Sequence, residues 1–61
     1  MNVNLLIANT IMGQLEDATM IDRNILLDNE EFATLFSVMI NNNKPMQDIT
    51  NTLLDFVNNN Y

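Results

Sequence analysis

Three carboxylates fall within four residues at Asp28, Glu30 and Glu31, and two more are neighbours at Glu16 and Asp17. Paired carboxylates are the raw material of general acid–base catalysis and of oxygen-ligated cation sites. Neither chemistry fits this spacing. Adjacent residues on a helix point about 100° apart, so Glu16 with Asp17, or Glu30 with Glu31, cannot converge on one reacting atom. Counted from Asp22, a calcium loop of the helix–loop–helix type requires glycine at its sixth position and glutamate at its twelfth. The chain has Leu27 and Ala33 there.

Other sources of chemistry are scarce. Histidine and cysteine are absent, which removes the usual proton shuttle, the thiolate nucleophile and the common zinc ligand sets. Ser37, the sole serine, has no base near it in the sequence. Lys44 precedes Pro45 in a loop, where an amine stays solvated and unactivated. One glycine, Gly13, cannot build a phosphate-cradling loop. A small-molecule pocket of roughly 300 to 1,000 Å³ would consume the core of so short a chain. The expectation is a protein without catalysis, cofactor or metal.

The acids of the stretch LLDNEEF, residues 26–32, have a structural use instead. Asp28 and Glu31 have the spacing of a capping box, with Leu27 and Phe32 placed as a hydrophobic staple. Glu30 and Glu31 then lie in the first turn, where the helix dipole favours negative charge.

The elements around them read as helices. Val3, Ile7, Ile11, Leu15 and Ala18 recur with helical period, giving a first helix over about 3–18. Leu5, Ala8 and Met12 widen its apolar arc to roughly 200°, about twice what one core demands, so this helix should be covered on two sides. Residues 19–27 (TMIDRNILL) fit a buried strand and a helix equally well, and are taken as an irregular or short extended connection. A second helix over about 29–41 buries Phe32, Ala33, Leu35, Phe36, Met39 and Ile40. Asn41, Asn42 and Asn43 stop it, because asparagine tolerates the left-handed cap conformation. A third helix over about 45–58 starts with Pro45 at its first position and buries Met46, Ile49, Leu53, Phe56 and Val57. The fold class expected is all-α: a small three-helix bundle forming a single domain over 1–61.

Composition constrains what such a bundle does. Sixty-one residues with 48% apolar side chains should fold, yet a core this small rarely supplies more than roughly 3–5 kcal/mol without a staple. With disulfides and zinc removed, oligomerisation is the staple left, so a homo-oligomer is expected. Lys and Arg number two against eight Asp and Glu, for a net charge of −6, which disfavours direct binding to nucleic acid or an anionic membrane surface. The opening MNVNLLIANTIMG lacks a basic region and a long apolar run, so neither a signal peptide nor a membrane span is expected. The lack of cysteine favours a reducing, cytoplasmic compartment. Twelve asparagines fit an AT-rich genome, such as that of a low-GC bacterium or its phage, and small phage early proteins and host-takeover inhibitors are similar in composition.

Three functional expectations follow. The first is a non-enzymatic regulator or inhibitor that binds a larger protein through an apolar helix face, drawn from Leu5, Ala8, Met12, Val38 and Leu54. The second is an acidic mimic of nucleic acid, since Glu16, Asp17, Asp22, Asp28, Glu30 and Glu31 concentrate in one quarter of the chain and could occupy a partner's basic groove. The third is a structural subunit that buries its extra face against identical neighbours.

Overall fold

The computed structural model describes residues 3–61, which form four helices and no strand: α1 Val3–Thr19, α2 Arg23–Asp28, α3 Glu30–Asn41 and α4 Met46–Asn60. Three of these match the sequence expectation to within two residues at each end. The fourth, α2, falls in the connection taken as irregular or extended. At six residues it is too short to display a 3.6-residue period, so its identity rests on its ends. Asp22 is its N-cap, with backbone in the extended region and a carboxylate oxygen accepting from the Asn24 N–H at 2.8 Å.

Placing α2 here displaces the expected capping box. Asp28 is the last residue of α2, and the cap of α3 is its neighbour Asn29, whose Oδ1 accepts from the Phe32 N–H at 3.0 Å. Phe32 therefore occupies the third helical position that the capping box assigns to glutamate, and Glu31 has no reciprocal role. Glu30 and Glu31 do stand in the first turn of α3, as expected. Pro45 likewise sits one position earlier than expected. It is the N-cap residue of α4, and its carbonyl accepts from the Ile49 N–H at 3.1 Å.

The asparagine stop after α3 is as the residue types imply. Asn43 adopts φ 56°, its N–H donates to the Ile40 carbonyl at 3.1 Å, and the Lys44 N–H donates to the Met39 carbonyl at 3.2 Å. This pair of bonds is the Schellman arrangement, which satisfies carbonyls that the helix end would otherwise leave unpaired.

The core is one cluster drawn from all four helices. Ile11, Met12 and Leu15 come from α1, Leu26 from α2, Phe32 and Phe36 from α3, and Ile49, Leu53 and Val57 from α4. Phe32 is its centre, with ring centroids 6.3 Å from Phe36 and 6.1 Å from Phe56 in tilted and edge-on geometry. Helix α1 packs against both α4 and α2; of its wide apolar arc Ile11, Met12 and Leu15 are buried, whereas Leu5 stays exposed. Val3 and Ala18, assigned to the buried side of α1 by periodicity, are exposed instead.

The fold is as compact as its length allows. The radius of gyration is 10.6 Å, against about 10.5 Å for a compact domain of this length. The accessible surface is 4085 Å², against roughly 4,000 Å² for a folded monomer of this mass. Among the described residues, no helix is long and apolar enough to cross a membrane.

Candidate functional site

The corner between α1 and α3 is organised by one ion pair. Arg23, the first residue of α2, donates from Nε and Nη2 to Glu16 Oε1 at 3.2 and 2.9 Å, and from its backbone N–H to Glu16 Oε2 at 3.0 Å. Its Nη1 reaches Asn9 Oδ1 at 3.2 Å. The guanidinium hydrogen bonds hold the Glu16 carboxyl below the ordinary glutamate range. The Arg23 backbone N–H adds to this, and partial desolvation opposes it. The arrangement clips α2 to α1 across the turn at residues 20–22. A carboxylate held ionised by a guanidinium is a poor proton donor at neutral pH, and here it fastens one helix to the next.

The turn itself is unusual. Met20 adopts φ 60° and is 87% exposed, so a long apolar side chain stands in solvent on a backbone conformation that costs non-glycine residues about 1 to 2 kcal/mol. Thr19 steadies the turn on both sides. Its hydroxyl donates to the Leu15 carbonyl at 2.7 Å and accepts from the Ile21 N–H at 3.2 Å.

The six acids of the expected patch are divided by the fold. Glu16, Asp17 and Asp22 line an open depression of about 350 Å³ together with Met20 and Ile21. Glu30 and Glu31 line a separate groove of about 480 Å³ with Thr34, Leu35 and Val38. Asp28 stands exposed at the end of α2 and lines neither. Two of the acids already have structural partners, Glu16 in the ion pair and Asp22 in its cap. No group of three acids, among the described residues, is placed to hold a metal ion.

The five residues expected on an apolar docking face separate more sharply. Leu5 is 60% exposed and Val38 49% exposed. Ala8 and Leu54 are half-buried against the core, and Met12 is fully inside it. Met12 belongs to the interior, in the core cluster that all four helices share. Sequence reasoning also passed over exposed apolar residues that the fold reveals, namely Leu6 on α1 and Ile25 on α2, each 56% exposed. Leu6 escaped notice because its neighbours Leu5 and Ile7 accounted for the local pattern. Ile25 was hidden by the ambiguity of its segment.

Comparison with protein-family models, with curated proteins and with solved structures gives no match for this chain.

Proposed function

We propose that this chain is a non-enzymatic interaction module that regulates or inhibits a larger protein by docking an apolar helix surface onto it, in the cytoplasm of a low-GC bacterium or a phage-infected cell. The observation that carries the reading is the exposure of Leu5, Leu6, Ile25 and Val38, each about half or more open to solvent on a chain with only nine buried core residues among those described. Scattered apolar residues are ordinary on any surface. Here they sit on three different helices of a very small molecule, at positions where charged or polar residues would serve solubility better. Burial of Leu5 and Leu6 on association would contribute roughly 1 to 2 kcal/mol each.

The acidic mimic remains a second reading, supported by Asp17, Glu30 and Glu31, which are exposed and make no ion pair among the described residues. It is weaker than the first because the fold splits the acids between two depressions. Duplex DNA, by contrast, presents one charge per about 1.7 Å in a continuous array. Assembly with identical copies is the third.

Affinity capture with the tagged full chain, compared with Leu5→Asp and Val38→Asp, separates the three. Docking through apolar surface predicts a recovered protein that survives raised salt and is lost with at least one of the two variants. Recovery that collapses in salt but tolerates both variants would favour the mimic. Recovery of this chain alone, with sedimentation showing a defined oligomer, would favour self-assembly.

A further inference from the structure

Building on the docking reading and naming the partner's chemistry, we propose that the outer face of α3 seats a cationic amphipathic helix. Glu30, Thr34 and Val38 repeat every four residues along α3, and Glu31 and Leu35 form the adjacent row. The groove between the two rows, about 480 Å³ and lined by these five residues, is the kind of surface into which a ridge of another helix inserts, with a crossing angle near −50°. Its two ends differ in chemistry. Val38, with the outer edge of Leu35, itself half-buried against the core, gives an apolar end, whereas Glu30 and Glu31 place two carboxylates at the other, about two helical turns away from Val38.

Charge selects the occupant. Glu30 and Glu31 make no ion pair among the described residues. Of the two basic residues, Arg23 is engaged by Glu16, and Lys44 lies beyond the opposite end of α3. A second copy would bring the same two carboxylates and a further charge of −6 to the groove. An uncharged apolar helix would seat well on Leu35 and Val38 but would desolvate the carboxylates without compensation. Nucleic acid and anionic lipid are repelled. The complement is a helix with aliphatic residues on one ridge and Lys or Arg about two turns from them, the helix-in-groove mode with a charged register pin.

The test is a titration of the ¹⁵N-labelled full chain with a synthetic amphipathic peptide of Leu, Lys and Ala, beside a scrambled peptide of the same composition and charge. The striped peptide should give saturable amide shifts concentrated between Glu30 and Met39, and the scrambled one should not. Glu30→Gln with Glu31→Gln should weaken binding about tenfold and remove most of its salt dependence. Val38→Ser should weaken it several-fold, and Asp55→Asn on α4 should leave it unchanged. Thermal melts of each variant show whether the fold is retained. Equal shifts with both peptides, spread over Asp17, Asp48 and Asp55, would overturn the inference, as would no binding. A dimer held through α3 in the absence of peptide would overturn it too. Shifts confined to Leu5 and Leu6 on α1 would overturn the placement on α3 while leaving the broader docking reading intact.

Discussion

Helices α1 and α3 end in the same left-handed backbone conformation, on residues that differ greatly in their tolerance of it. Asn43, at φ 56°, closes α3 with a Schellman pair of hydrogen bonds, and the chain then turns directly into α4 through Pro45. Met20, at φ 60°, closes α1 with a residue that gains nothing from the conformation. The hairpin end is thus specified locally, by a residue suited to its dihedral angles. The corner after α1 is held from outside, by the Glu16 and Arg23 ion pair, the Thr19 hydroxyl and the burial of Leu26. A strained turn persists where the surroundings over-determine it, and the corner shows which surroundings those are.

The strongest way to break this contrast is to remove the corner's apolar anchor. Leu26 is the one fully buried residue of α2. Leu26→Ala should cost about 2 to 5 kcal/mol in urea unfolding, comparable to the whole stability of a core this size. A loss well under 1 kcal/mol would mean that α2 rests on the surface and that packing does not hold the corner. Next in size is the junction into α3. Asn29→Ala should cost about 1 kcal/mol through loss of the cap, while Asp28→Ala should change the melting midpoint little. The reverse ranking would restore Asp28 as the cap.

The two left-handed residues can then be compared directly. Met20→Gly should raise stability by about 0.5 to 1 kcal/mol, the relief of strain less the added entropy of the unfolded glycine, whereas Asn43→Gly should change it by only a few tenths. Equal gains at both sites would show that asparagine has no special fitness for the hairpin end. The subtlest effect concerns pH. The Glu16 carboxyl is lowered in the folded state, so its contribution is complete above the ordinary glutamate value and is lost as pH falls through the lowered one. Glu16→Gln should therefore flatten the acid limb of stability against pH, with a small loss at neutral pH. An unchanged acid limb would show that the ion pair does not fasten the corner.

What the sequence discloses follows the same division. The hairpin was legible because Asn43 and Pro45 are residue types with few conformational options, and the amphipathic stripe of α4 is long enough to display its period. The corner was not legible. Six residues cannot show a helical repeat, Asp22 marks a turn as readily as a helix start, and nothing in the spacing of Glu16 and Arg23 reveals that a left-handed Met20 brings them together. That blind spot spread to the candidate docking surface. Ile25 on α2 does not stand out as an exposed residue, and Met12 reads as partner-facing although the chain covers it. Val38, Glu30 and Glu31 were each legible as outward-facing, since α3 has a clear buried stripe. The groove joining them depends on side-chain relief along the helix, which composition does not encode.

The central claim is that this molecule acts by burying its exposed aliphatic surface on a partner. Methyl NMR with a soluble paramagnetic agent, recorded on the chain alone and again with its captured partner, tests it most directly. The account predicts strong relaxation of the Leu5, Leu6 and Val38 methyls in the isolated chain, protection of one or more of these sites in the complex, and protection of Leu26 and Leu53 throughout. Outer methyls that stay open to the agent in a saturated complex, while only the acidic residues respond to the partner, would contradict it.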